Sequence, residues 1–464
     1  MATPPAFKET NGWKMAQPQD DVIRGKWWEM FHDPQLSTLE DQLTRSNQNV
    51  QAAFFTFLEA RAAVRQTWSS LFPTAAVTPS ATRSRVASSG SLFSVSGGAS
   101  SGRTATVYAL PFDATWEPDL WGNIRNSVRA GAYAAQASAA NLENIRLTAQ
   151  AELAVDYYEM RVQDSLKLLL GSTVVAYQKS LDLNKALYGT GINSEENVAQ
   201  AETQLKTTEA QATGVDIQRA QFEHAIAVLV GQPASTFSIP VAPLDGGPPV
   251  VPVNIPSELL ERRPDIAAAE RSVAQANAQI GVARAAYFPT LTLSASAGYQ
   301  STSLSQLISP TTFIWSVGAQ MAETLFDAGR RKAATDQAKA AYSQTVASYR
   351  QTVLAAFQAV EDNLASLRVL STQTQQQHDA VASAEHTLAI ATHRYQLGID
   401  SYLNVITAQT ALLLNQQTDL TLRQQQMTAT VQLIMALGGG WKGADLPAQG
   451  QLLSHAKFAP AGTQ

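Results

Sequence analysis

Two patterns alternate along this chain: long stretches with helical spacing and no helix breakers, and short stretches whose apolar and polar residues switch at every position. Arg330 to Leu397 passes without a glycine or proline, an unusual length where helices average about three turns. Unbroken, such a stretch makes about 100 Å of helix. Asn123 to Tyr188 matches it, interrupted only by Gly131 and Gly171. A glycine turn follows each, and then a returning helix is expected over Ile192 to Val230 and over Ile399 to Leu437. Leu36 to Phe72 also lacks Gly and Pro and spaces Leu36, Leu39 and Leu43 as a helix would. Its counterpart runs from Pro264, well placed in a first helical turn, to Phe288.

The pattern occurs twice because the chain repeats itself. Tyr188, Gly191, Asn197, Val198 and Thr203 recur as Tyr395, Gly398, Asn404, Val405 and Thr410, an offset of 207 residues (188 to 395). Gly122 and Gly231 recur at the same offset as Gly329 and Gly438. The tripeptide FPT recurs at an offset of 216 (Phe72 to Phe288), so the first copy is nine residues longer (216 less 207) between FPT and the following glycine. A period near 200 is too long for a solenoid and reads as a duplicated half-protein. The expected organisation is an N-terminal tail (1–35), a first repeat (36–231), a Pro/Gly-rich linker (232–256), a second repeat (257–438) and a C-terminal tail (439–464).

After the second FPT, Thr290, Thr292, Ser294 and Ser296 alternate with Leu291, Leu293, Ala295 and Ala297. Period two marks a strand with one wet and one apolar face. The first copy keeps the parity, with Ala75, Val77 and Ala81 on one face and Thr74, Thr78, Ser80 and Thr82 on the other. Phe313, Trp315, Val317, Ala319 and Met321 continue the apolar face in a partner strand, matched by Tyr108, Leu110, Phe112 and Ala114. Hairpins are therefore expected near 73–116 and 289–323. Strands of about ten residues with aromatics near their ends fit an outer-membrane barrel. Four strands from one chain cannot close, and an open sheet edge is not tolerated in lipid. Two chains would give eight strands filled by side chains, whereas three give twelve and enclose a passage.

The fold class so predicted is mainly α with a membrane β-barrel: a homotrimeric twelve-stranded barrel with long helices extending from one end. Long loops at Ala87–Thr104 and Gln300–Thr312 would lie outside the cell and the helices in the periplasm. Thr290, Thr292, Ser294 and Ser296 are expected to face the lumen, and Leu291, Leu293, Tyr108 and Trp315 to face outer-membrane lipid.

Composition narrows the function classes. Charged residues make up 15%, against about 25% in ordinary soluble proteins, so much of the surface is neutral and polar. A net charge of -5 leaves no basic footprint for nucleic acid. There is no cysteine, hence no disulfide and no thiolate metal site. No apolar run approaches the roughly 18 residues of a transmembrane helix. Met1 to Phe7 shows no charged n-region leading into an apolar h-region. That fits a cytosolic chain, or one whose targeting information has been removed.

Catalytic chemistry finds no constellation. His386 and His393 would sit about 10.5 Å apart along one helix, too far to share a metal. No enzyme activity, cofactor or metal is expected. "ERRPDI" at Glu261 to Ile266 reads as a helix start, and Trp27 and Trp28 as anchors for the tail. A soluble coiled-coil scaffold is the other reading of the helices, and the alternating strands argue against it.

Several motifs together resemble the TolC family of outer-membrane efflux factors, within it the OprM- and NodT-like lipoprotein branch. They are "GKWWEMFHDPQLSTLEDQL" (Gly25 to Leu43), "ELLERRPDIAAAERSVAQANAQIGVARAAYFPTLTLSA" (Glu258 to Ala295), "LFDAGRRKAA" (Leu325 to Ala334) and the two glycine turns. The resemblance implies a trimer whose twelve-stranded β-barrel stands on a long periplasmic α-helical barrel, the exit duct of a tripartite efflux pump in a bacterial outer membrane. It implies a periplasmic adaptor and an inner-membrane pump of the RND type as partners. The lipoprotein branch starts its mature chain with a lipidated cysteine, which this sequence lacks. In the family the periplasmic end is closed by acidic positions that match Asn404 and Thr407 here. Leu403 matches an apolar constriction, and Asp400 stands where TolC-like members carry a basic residue. These four make the expected gate. Gly191, Ile192, Gly398 and Ile399 make the expected adaptor-docking tips, since glycine admits the tight turn and a β-branched residue follows it.

Overall fold

The structure, a computed structural model, describes residues 8, 25–86, 103–251 and 262–454. The expected long loop at 87–102, most of the N-terminal tail, the end of the linker, the "ELLE" start of the second repeat and the last residues lie outside them. Its elements are α1 (Pro34–Ser46), α2 (Gln48–Ser69), β1 (Thr74–Val77), β2 (Ser80–Val86), β3 (Arg103–Trp116), α3 (Asn123–Gly189), α4 (Glu195–Leu229), α5 (Pro264–Ala285), β4 (Thr290–Ser301), β5 (Phe313–Ala322), α6 (Arg330–Gln396) and α7 (Tyr402–Ala436).

The bounds reproduce both offsets. Helices α3 and α6 have 67 residues each, α4 and α7 have 35 each, and α2 and α5 have 22 each. The first two pairs start 207 apart (123 to 330, 195 to 402), and the third pair 216 apart (48 to 264). The change of offset falls at the hairpin loops.

One expectation needs correction. The stretch from Leu36 is two helices, because Asn47 turns extended (ψ 122°) and caps α2 by accepting from Val50 N–H at 3.0 Å. Its amide also donates to the Leu229 carbonyl at 2.8 Å, so the break serves a tertiary contact that no glycine or proline marks. Conversely α3 runs unbroken through Gly131 and Gly171. At Gly131 the side chain of Val64 on α2 comes as near as 3.6 Å to where a Cβ would stand, which suits a close helix–helix approach.

Shorter helices meet end to end beside the long ones. The end of α4 meets the start of α2 through Asn47 and through Ser46, whose hydroxyl donates to the Val230 carbonyl. Likewise Arg263, just before α5, donates to the Ala436 carbonyl at the end of α7. Gly231 and Gly438 close these joints with positive φ. A Cβ there would strike the Ser46 and Arg262 carbonyls.

The largest apolar core lies midway along the helices. It joins Trp27 and Trp28 to Leu36 and Leu43 of α1, Leu153 and Met160 of α3, Val360 and Leu364 of α6, and Val431 and Ile434 of α7. The N-terminal tryptophans are thus core residues, as their anchoring role requires. The linker is tied down there by a buried ion cluster. Asp164 receives Arg161 and Arg219 and accepts from Ala242 N–H, while Arg219 also donates to the Ile239 carbonyl. A second, smaller core around Tyr177, Leu181, Leu205, Tyr402 and Val405 packs the hairpin ends together.

One antiparallel sheet collects the strands in the order β1/β2, β3, β4, β5. β1 and β2 pair with β3 in one continuous register, Val77 with Phe112 and Ser80 with Ala109. They are one strand interrupted beside Pro111. Proline there and at Pro79 supplies no N–H to the ladder.

Candidate functional sites: the sheet faces and the hairpin tips

Cross-strand register settles which residues share a face. Leu291, Leu293, Ala295 and Ala297 stand opposite Met321, Ala319, Val317 and Trp315 on one side. Across the other ladder, Leu293, Ala295 and Ala297 meet Trp116, Ala114 and Phe112. Tyr108 lies on this face too, opposite Ser301. Thr290, Thr292, Ser294 and Ser296 occupy the opposite face with Gln320, Gly318 and Ser316, joined there by Asp113, which accepts from the Thr78 hydroxyl at 3.0 Å. The apolar face is bare: Trp315 is 72% and Val317 75% exposed. Such a contiguous patch marks a surface meant for lipid or a partner. Among the described residues, the β1/β2 strand and β5 each leave one edge without a partner strand.

Aromatic residues bracket this face. At the helix end, Trp116 Nε1 donates to the Leu71 carbonyl and Trp121 Nε1 to the Pro289 carbonyl, with Trp121 stacked on Phe288 at 4.8 Å. At the far end, Tyr299 meets Phe313 edge-on at 5.6 Å, next to Leu110 in register.

At the opposite extreme of the helices, both hairpins turn by the same device. Gly191 and Gly398 have φ of 75° and 70°, and Ile192 N–H and Ile399 N–H reach back to the Leu187 and Arg394 carbonyls at 3.0 Å. This is the Schellman closure of a helix, where the residue after glycine normally packs back on the helix. Here Ile192 is 75% and Ile399 65% exposed. Asn197 donates to Asn193 at the start of α4, and Asn404 donates to Asp400 at the matching place before α7.

Only the second tip is charged at this position. The Asn404 amide and Ser401 N–H hold the Asp400 carboxyl below the ordinary carboxylate value, and Arg394 at 3.2 Å adds to it. Leu403 is 57% exposed, beside exposed Asn404 and Thr407.

The profile of the outer membrane efflux protein family matches residues 39–232 and 255–439. The chain belongs to that family. TtgC of Pseudomonas putida, a probable efflux pump outer membrane protein, is 31% identical, over 89% of this chain and 85% of its own. SrpC, a solvent efflux pump outer membrane protein of the same species, is 32% identical over 89% and 87%. The outer-membrane channel OprN superposes with a TM-score of 0.88 at 26% identity, over 95% of this chain and 97% of its own.

This outer membrane efflux protein accordingly has the fold of outer-membrane channels, a long helical body with a β-sheet at one end. Among the described residues no helix is long and apolar enough to cross a membrane, and no group of three His, Cys, Asp or Glu side chains could hold a metal. His386 and His393 are exposed. The "RRPD" motif is a helix start, with Pro264 in the first turn and Arg263 paired to Asp265 at 2.7 Å.

The structure adds residues that the sequence alone does not reveal. The Asn193 amide donates to Tyr395 Oη at 2.8 Å, Tyr395 Oη donates to Asn184 Oδ1 at 2.8 Å, and Asn193 also reaches Asn184. Nearby, Ser180 and Tyr402 hydroxyls meet at 2.9 Å, and Gln204 bridges Tyr177 and Thr410. Burial pushes the Tyr395 and Tyr402 phenols up, keeping them neutral donors. The network joins the two hairpins of the efflux protein just above their turns. Repetition of Tyr188 as Tyr395 was the available signal, but Tyr188 itself is exposed, so the two halves diverge here.

Proposed function

We propose that this chain is one protomer of a homotrimeric exit duct, a passive conduit that carries small molecules from the periplasm across the outer membrane. The observation that carries this reading is a sheet with one polar face, one bare apolar face and two unpaired edges. In lipid such edges must be paired. Three copies joined edge to edge give the smallest barrel with a passage. Leu291, Leu293, Tyr108 and Trp315 then meet lipid. Thr290, Thr292, Ser294 and Ser296 line the lumen.

No catalytic residue is needed, because conduction requires only a continuous wet bore. Selectivity comes from constrictions, and Leu403, Asn404, Thr407 and Asp400 form the narrowest ring at the tip. Ile192 and Ile399, displayed by Gly191 and Gly398, dock on a periplasmic adaptor. An inner-membrane pump of the RND type drives transport. Detergent-purified protein should be trimeric by native mass spectrometry and should give discrete conductance steps in planar bilayers. A monomer that stays soluble in plain buffer and gives no conductance would overturn this reading in favour of a helical scaffold.

A further inference from the structure

Two arginines interrupt the apolar face, both at the end remote from the helices. Arg83 stands opposite Thr106 and Arg85 opposite Thr104. Ala81, on the same face, is opposite Tyr108, so Arg83 lies one two-residue step beyond the Tyr108 level and Arg85 two. From Trp116 to Tyr108 along β3, at about 3.3 Å per residue and a tilt near 40°, the apolar band is about 20 Å tall. Both guanidinium groups therefore emerge just past the outer aromatic level, where lipid head groups sit.

Among the described residues nothing answers their charge. Both side chains are exposed, and no hydrogen bond or ion pair engages them among the described residues. Segments 78–112 and 294–322, which cover this end of the sheet and both hairpin loops, contain Arg83, Arg85 and Arg103 but no Asp or Glu. A neighbouring copy joined at the sheet edge brings the same acid-free segments, so trimer formation leaves these charges unmatched. Arginines two apart on one strand face are about 7 Å from each other, and a guanidinium binds phosphate oxygens through paired N–H donors.

We propose that Arg83 and Arg85 form a phosphate-binding site, one per protomer, for the phosphorylated glycolipid head group of the outer leaflet. The site rests on the reading above that the apolar face meets lipid. It anchors the barrel at a fixed depth, with acyl chains lying against Tyr108, Leu110 and Phe112.

The test uses purified trimer in mixed micelles, probed by native mass spectrometry with bis-phosphorylated lipid A, dephosphorylated lipid A and phosphatidylglycerol. Wild type should retain the bis-phosphorylated form. Arg83→Gln/Arg85→Gln should retain about tenfold less, as expected when two charge-assisted contacts go, while staying trimeric with unchanged conductance. Equal retention by both proteins, or phosphatidylglycerol held as strongly as lipid A, would overturn the proposal. The cysteine-free chain also permits Val317→Cys bearing a fluorophore in vesicles of brominated lipid. Quenching there with equal lipid A retention sinks the arginine site alone, whereas absent quenching sinks the lipid-facing assignment with it.

Discussion

Asn193 and Tyr395, 202 residues apart in sequence, meet across the two hairpins, with the Asn193 amide donating to the phenol oxygen at 2.8 Å. Tyr395→Phe removes that acceptor and the donor to Asn184, leaving part-buried amides underused at about 1 kcal/mol each. Because the bond ties the second hairpin to the first, its loss should loosen the tip. Single-channel conductance of Tyr395→Phe should exceed that of wild type while trimer yield stays the same. Unchanged conductance would place the control of opening elsewhere.

Leu403 offers an apolar ring that resists wetting, if three copies face one axis. Leu403→Ser should raise conductance in planar bilayers and leave the melting temperature within a degree or so, since an exposed side chain gives up little burial. A large loss of stability would instead mean that Leu403 packs between helices.

Face assignment can be tested within one strand. Leu293→Arg should make barrel insertion less favourable by about 2 to 4 kcal/mol near the membrane midplane, read as lost trimer in refolding titrations. Its neighbour Thr292→Arg should insert normally and change ion selectivity. Equal tolerance of both would refute the assignment.

Asp156, midway along α3, has its carboxyl pushed up to about 7 by burial and by the nearby charges of Glu152 and Glu159. The folded state therefore holds this proton more tightly than the unfolded chain, whose carboxyl titrates near pH 4. The contribution to stability is present below about pH 4 and is lost as pH rises towards 7. Asp156→Asn should melt higher than wild type at pH 8 and equally at pH 4, by scanning calorimetry in detergent. An identical difference at both pH values would rule out Asp156 as the titrating group.

The tips carry the partner prediction. Ile192→Asp/Ile399→Asp places charge where two exposed isoleucines now stand, away from the core. The double variant should insert as a trimer yet fail to restore efflux in cells lacking the wild-type protein. Restored efflux would remove the tips from the docking surface.

Much of this architecture was legible because it rests on counting. Strand parity around Leu293 and Thr292 followed from period two, and the register bears it out residue by residue. Helix ends followed from Gly191, Gly398 and Pro264. The break at Asn47 was not legible, since an asparagine caps a helix only when its other contacts favour it, and here they come from Leu229. Nor was the Asn184–Asn193–Tyr395 cluster, whose members look like ordinary polar helix residues until two distant hairpins are brought together. The Asp164 cluster was hidden for the same reason.

The equal helix lengths carry a constraint on how such a chain can change. Each helical residue advances the chain about 1.5 Å and swings it about 100°. A single residue added to α6 alone would push its turn past that of α3 and send every later side chain in a new direction. Insertions that preserve facing come in sets of about seven or eleven residues, and each outgoing set needs its match on the return. The span between membrane and tip is therefore held as an integer, and the protein serves as a gauge whose reading can change only in whole steps.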